Sequence, residues 1–398
     1  MTDNTIVWGA CWYYESCYTL IQFLSNASKL LEKHYKNSII VVFDADATRS
    51  HQQRDEVESS IQNCILIKNN INIYPNKNFG VAAIVKTAEQ LNADYVAIVD
   101  PDWSVVEYSE LISILLKPLV EHRADVVIPN IGDMAGRCNL LIGKPVIQLF
   151  YPEYVDTVRT AFPGICSGTV TSLQRIVSSN RYHYDWGGEW DIFALSCLHG
   201  FEIASPEIQV VNMRHRSNSS KMEDAFQIWR AVFCHITAEQ LTGATESYAS
   251  VSPPESPLLP FYSSSFIELS LDKQLQYMYE YNVRGTLVQL FYMVLTPIKS
   301  LLGGCIPSID PIDMGQNPYT RGELDELSKF IPYFVSRLLW LQKVSAGELI
   351  HHANNLKGGY WSDWTCETQA SAINEVCHNP DFPRLPELAS PKFSYRVQ

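Results

Sequence analysis

The sequence predicts an α/β domain on a mostly parallel sheet, followed by an α-helical domain. Three observations carry that expectation. Short apolar, β-rich runs alternate with helical patterns through the first 235 or so residues, two of those runs end on acids, and helical patterns alone follow a Ser/Pro-rich stretch. Alternating strands and helices give parallel sheets covered on both faces. Such sheets bind ligands beyond the carboxyl ends of their strands, which is where the acids fall.

Ile6 to Cys11 is a first strand, and Tyr18 to His34 has helical spacing. Ser38 to Phe43 is a β-branched strand ending on Asp44 and Asp46, followed by a polar helix over Gln52 to Ile61 and a strand from Cys64 to Lys68. Val81 to Leu91 is helical, Tyr95 to Val99 is a buried strand, and Ala124 to Pro129 is another strand. From Thr242 to Ser265 the run Thr-Gly-Ala-Thr-Glu-Ser-Tyr-Ala-Ser-Val-Ser-Pro-Pro reads as a linker. Helical patterns then cover Leu271 to Val283, Leu287 to Leu302, Arg321 to Leu341 and Ala346 to Leu356. The expected division is residues 1–240 for the sheet domain, 241–264 for the linker and 265–398 for the helical domain.

The 398 residues carry a formal net charge of −13, which argues against nucleic-acid binding and against adhesion to an anionic membrane. No signal peptide is expected from Met1-Thr-Asp-Asn-Thr. Thr286 to Leu302 is interrupted by Gln289, Pro297 and Lys299, so stable membrane insertion is not expected either. Ten cysteines without C-x-x-C pairs point to reduced thiols in a cytoplasmic protein. The helical domain offers surface for a symmetric homo-oligomer.

The strand Tyr95–Val99 exits onto Asp100-Pro101-Asp102. Two carboxylates one residue apart at a strand end form a hard oxygen site suited to Mg²⁺ or Mn²⁺. Upstream, Pro75-Asn76-Lys77-Asn78-Phe79-Gly80 reads as a turn-rich loop before a helix, a natural phosphate or ribose contact. Downstream, Asp185-Trp-Gly-Gly-Glu189-Trp-Asp191 opens a helix with two acids in its first turn. Residues two apart on a helix point about 200° apart, so one of the pair faces a shared site, and Glu189 is the choice. A strand from Glu207 delivers His215 and Arg216 into a polar loop, and a neutral imidazole can complete a carboxylate metal shell. Phe162-Pro-Gly-Ile-Cys-Ser-Gly-Thr169 reads as a small-residue loop able to admit a sugar.

In this order the motifs resemble the retaining glycosyltransferases of GT-A fold, a Rossmann-like catalytic domain, and in particular the mannosylglycerate and glucosyl-3-phosphoglycerate synthases. The resemblance runs from the strand before Asp44 to the helix ending near His235. It implies that Asp102 touches the metal, that Asp100 reaches it through water or holds the ribose, and that His215 completes the shell. It places Glu15, Asp44 and Asp46 near the base and ribose, Lys77 near the nucleotide, and Glu189 beside the reacting sugar. Arg137 and Arg216 become contacts for an acidic acceptor.

Three segments depart from the family: Asn76 and Asn78 flank Lys77 in place of glycines, Pro163–Thr169 lacks a glutamate, and Gly132–Arg137 differs from the acceptor loop. The implied function is metal-dependent transfer of a hexose, from a donor of the GDP-mannose or UDP-glucose type to a small acceptor such as glycerate or phosphoglycerate, with retention. The alternatives are an inverting enzyme of the same fold with Glu189 or Asp191 as general base, and a non-catalytic nucleotide-sugar-binding protein.

Overall fold

Ile6 to Trp12 are buried without exception, as a strand flanked on both edges and covered on both faces must be. A computed structural model of the chain describes residues 2–69, 77–101, 103–105, 108–132, 136–179, 187–213, 221–249, 251–252, 266, 268–280, 289–302 and 321–342. Among these, nine strands form: β1 (Thr2–Trp12), β2 (Tyr35–Asp44), β3 (Cys64–Lys68), β4 (Tyr95–Val99), β5 (Trp103–Val105), β6 (Val126–Val127), β7 (Ile165–Thr169), β8 (Ile203–Ala204) and β9 (Val210–Met213).

The main sheet has the order β3-β2-β1-β4-β7-β6-β8. It is parallel from β3 to β4 and again between β6 and β8, while β7 runs antiparallel to both β4 and β6. The mostly parallel α/β expectation holds. Trp12 pairs with Asp44 and Val99 with Ile165, so the ends of β1, β2 and β4 and the start of β7 share one edge.

The helices of this unit are α1 (Cys17–His34), α2 (His51–Ser60), α3 (Lys77–Gln90) and α4 (Tyr108–Val120). Ser16 caps α1 by accepting from Thr19 N–H at 3.1 Å, and the face Leu20, Phe23, Leu24, Ala27, Leu31 is buried. Helix α2 opens with a capping box between Ser50 and Gln53. Helix α3 begins at Lys77, four residues earlier than its apolar pattern suggests. Gly80 explains the extension: a Cβ there would stand 2.5 Å from Cys11 Sγ and 2.9 Å from Phe43, so its absence lets the first turn press onto β1 and β2.

Two other expectations change. Ile165–Thr169 is strand β7 rather than a loop, because its small residues fit a crowded place: buried Ser167 Oγ donates to Leu115 O at 2.7 Å. The strand before His215 is outside the main sheet. It forms β9, paired antiparallel with β5, Trp103 opposite Met213.

The chain divides into two compact units. The sheet unit comprises Met1–Met134 and Pro163–Arg214, and the second unit comprises Ala135–Phe162 and His215–Asp363. The second unit takes Ala135–Phe162 from between the two segments of the sheet unit. Its helices are α5 (Lys144–Phe150), and further along α8 (Lys221–His235), α9 (Ala238–Ala249), α10 (Leu271–Glu280), α11 (Thr296–Leu301) and α12 (Arg321–Gln342), while the sheet unit adds α6 (Val170–Ser179) and α7 (Gly188–His199). Helix α9 runs through the start of the expected linker, fastened by Gln240 Nε2 donating to Phe150 O at 2.8 Å. The helical pattern at 346–356 lies outside the described residues.

In the helical core Trp229 stacks on Phe233, Phe150 meets Phe233 edge to face, and Trp229 Nε1 donates to Met293 O at 2.9 Å. No helix among the described residues is long and apolar enough to cross a membrane. None of the described cysteines Cys11, Cys17, Cys64, Cys138, Cys166, Cys197 and Cys234 is in a disulfide.

Candidate functional site

Lys77 is buried to 5 % exposure, and its ammonium donates to Asp100 Oδ2 at 2.8 Å and to Glu189 Oε1. The three residues come from the first turn of α3, the exit of β4 and the first turn of α7. Gly164, just before β7, joins the same cluster through its backbone: its N–H donates to Glu189 Oε2 at 3.1 Å and its carbonyl accepts from Asp100 N–H at 3.1 Å. Both Glu189 oxygens are thus directed by the protein. The N-terminal position on α7 adds favourable helix-dipole interaction.

Burial pulls the Lys77 ammonium down, but Asp100 and Glu189, by charge and hydrogen bonds, overcome it and hold the group above the ordinary lysine range. Beside the cluster, Lys77, Asn78, Glu189 and several aliphatic side chains line a small recess of about 20 Å³, room for roughly one water-sized group. Burial pushes the thiols of Cys11 and Cys166 up to about 12, so neither is a thiolate nucleophile at neutral pH.

Lys77 was expected near the nucleotide; here it bridges the first acid of the D-x-D to the acid chosen for catalysis. Asp191 is 1 % exposed, its N–H donates to Gly187 O, and it does not line the recess. Asp191 as an alternative catalytic base does not fit that placement.

Asp44 differs more. It is fully buried, accepting from Arg49 Nε at 2.8 Å and Arg54 Nε at 2.7 Å, with Asp46 N–H on the oxygen that Arg49 uses. Arg49 lies 3.5 Å above the Trp12 ring and donates to Tyr13 O at 2.7 Å. Asp44 therefore ties β2 to α2 and the β1 exit, and its full burial leaves no surface for contact with a ribose. Sequence reasoning missed Arg49 and Arg54. Their signal is an arginine five and ten residues after a strand-end aspartate, the second buried on an otherwise polar helix. Removing Asp44 leaves two buried guanidinium groups unpaired, so Asp44→Ala is expected to destabilise by about 3–5 kcal/mol, checked by thermal denaturation.

Asp46 accepts from the Thr48 hydroxyl at 2.7 Å, which above all holds its carboxyl below the usual range while burial opposes. Glu15 Oε2 accepts from the N–H groups of Tyr13 (3.0 Å) and Tyr14 (3.2 Å), ordering the loop after β1. Arg137 belongs to the helical unit rather than to the sheet unit that holds the cluster. Asp102, His215 and Arg216 lie outside the described residues.

Among the described residues, no three His, Cys, Asp or Glu side chains are grouped to hold a metal ion. Of the three expected ligands only Asp100 is described, and an ammonium already engages it. A divalent ion would depend on Asp102 and His215.

The sequence matches no family model and no curated protein. The structure is similar to solved structures of glucosyl-3-phosphoglycerate synthase from Mycobacterium tuberculosis. The complex with phosphoglyceric acid has a TM-score of 0.48 at 15 % identity, covering 58 % of this chain and 80 % of that one. The complex with Mn²⁺, UDP-glucose and phosphoglyceric acid has a TM-score of 0.47 at 14 % identity, covering 58 % and 79 %. The complex with Mg²⁺ and UDP has a TM-score of 0.48 at 14 % identity, with the same coverage.

Proposed function

We propose that this chain transfers a hexose from a nucleotide diphosphate sugar to a small hydroxylated acceptor, with retention of configuration. The observation that carries the reading is the buried ammonium of Lys77 between Asp100 and Glu189, at the sheet edge where ligands of open α/β sheets bind. A strongly perturbed charge held by specific partners beside a recess is a functional-site signature.

The residues divide the work as follows. Lys77 offers a cation to the diphosphate and fixes Glu189 through its other hydrogen bond. The Glu189 carboxylate faces positive charge developing at the anomeric carbon and orients the acceptor hydroxyl. The departing phosphate oxygen takes the acceptor's proton, so no separate base is needed and buried Asp191 is not called on. Asp102, His215 and Asp100 would hold a Mg²⁺ or Mn²⁺ ion, whose charge offsets that of the departing diphosphate.

Incubation with UDP- and GDP-hexoses, glycerate or phosphoglycerate, and Mn²⁺ tests the reading, with the anomeric proton of the product followed by NMR. Asp102→Ala is expected to stay folded by circular dichroism while losing turnover and Mn²⁺ binding in an electron paramagnetic resonance titration. Full turnover in that variant removes the metal role, and an inverted anomer removes retention.

A further inference from the structure

Gly164 sits where β7 meets the end of β4, and its backbone leaves the sheet there. Val99 and Ile165 are opposite residues of an antiparallel pair, so Asp100 and Gly164 come next in register. The Asp100 N–H donates to the Gly164 carbonyl at 3.1 Å, which is half of the exchange that closes a hydrogen-bonded pair. In a continuing ladder the Gly164 N–H would return the bond to the Asp100 carbonyl. Instead it donates to Glu189 Oε2 at 3.1 Å. Gly164 is buried, so its N–H needs an acceptor, and the Glu189 carboxylate is the one provided.

The backbone angle accounts for the change of direction. Gly164 has φ 75°, in the left-handed region that glycine enters without steric cost. This torsion sets the direction of a residue's N–H relative to its own carbonyl. It therefore sends the carbonyl to the strand exit carrying Asp100 and the amide to the helix start carrying Glu189. Lys77 holds the other Glu189 oxygen, so the Gly164 amide supplies the second point that fixes the carboxylate plane.

We propose that Gly164 is a positioning residue for the transfer: its left-handed backbone takes one amide out of the β4–β7 ladder and aims it at Glu189, setting that carboxylate against the reacting sugar. The inference rests on the sugar-transfer reading and names a backbone group on which the same site depends. Alanine is strained at positive φ, whereas asparagine enters this region more readily than most residues with a side chain. Gly164→Ala is therefore expected to lower kcat on the order of 100-fold, the cost of about 1 Å of displacement at a reacting group. The donor KM should change little, because the interaction acts in the transition state. Gly164→Asn, although bulkier, should keep most of the wild-type kcat; a purely steric role for glycine would give the opposite order.

Steady-state kinetics of the full chain with Mn²⁺ and UDP- and GDP-hexoses tests this order, with thermal melts to establish that each variant is folded. NMR of the chain labelled with ¹⁵N-glycine gives a second readout that needs no turnover. The Gly164 amide proton, hydrogen-bonded to a carboxylate, is expected to move upfield in Glu189→Ala, where its acceptor is gone. Should Gly164→Ala fail to fold, the amide shift and the kcat of Gly164→Asn still decide. Equal kcat losses in folded alanine and asparagine variants, a large kcat loss in Gly164→Asn, a loss confined to the donor KM, or a Gly164 amide unmoved by Glu189→Ala overturns the inference while the transfer reading stands. Absence of transfer by the wild-type chain from every donor overturns the transfer reading itself, and the inference with it.

Discussion

Replacing Lys77 with methionine is expected to lower turnover about 10²–10³-fold, in the range for losing one preorganised electrostatic donor, and to destabilise the fold. The side chains of Asp100 and Glu189 are 28 % and 19 % exposed, so they would face each other with little solvent and no cation. Removing one partner of a buried pair costs about 3–5 kcal/mol. Partial access to water places this case near about 3 kcal/mol, on the order of 6–12 °C in Tm. Lys77→Arg keeps the charge in a wider head group and should recover stability more than turnover. The pH dependence has a definite sign. Because the folded-state pKa of Lys77 lies above its unfolded value, its contribution is fully present below about pH 10 and is lost as pH rises through the folded value. The wild-type chain should therefore lose stability in strong alkali in a way that Lys77→Met does not. Melts of both proteins carried from about pH 9 into strong alkali, above the ordinary lysine pKa, would show this, and parallel curves across that range would contradict it.

The elements legible in the sequence were those whose environment matches their composition. Tyr95–Val99 is a central strand and Cys64–Lys68 an edge strand with a buried middle, and their uninterrupted apolar runs mark both to the residue. Ile165–Thr169 was not legible as a strand. Its cysteine, serine and glycine are small because neighbouring side chains crowd them, and β-propensity measures fit to a pleated surface more than backbone preference. Residues 77–80 have turn-like composition, yet close packing of Gly80 on Cys11 and Phe43 winds them into α3. Thr242–Ala249 was misread for the opposite reason: polar residues suit a linker, but one face of α9 packs in the helical core at Leu241 and Ala244.

The site was legible as an inventory of residues rather than as a set of contacts. Asp100 and Glu189 stand out by position at a strand exit and a helix start. Their meeting on one ammonium joins residues 23 and 112 positions from Lys77, and no local pattern encodes such a distance. Asp44 shows the converse. Its place at the end of β2 suggested ligand contact, but the position shows only that the carboxylate sits at the functional edge, and two arginines decide what it holds.

Gly188→Ala is expected to lower turnover by roughly 100-fold, with a smaller loss of stability. A Cβ at residue 188 would fall directly on the terminal atoms of the Asn78 side chain. Asn78 is 7 % exposed, so its side chain has little room to swing away, and the start of α7 must move off the start of α3. Gly188 adjoins Glu189 and Asn78 adjoins Lys77, so the movement acts on the gap between the two charged groups. A displacement of about 1 Å at a catalytic group can cost on the order of 100-fold in rate. Alanine suits a helix better than glycine by roughly 0.5–1 kcal/mol, which offsets part of the strain and makes activity the more sensitive readout. Asn78→Ala in the Gly188→Ala background removes the obstructing atoms and should restore much of the lost turnover, a coupling of about 0.5–3 kcal/mol in a double-mutant cycle. If the two substitutions prove additive, contact between residues 78 and 188 does not set the Lys77–Glu189 distance, and the rigidity of the site comes from the Gly164 backbone alone.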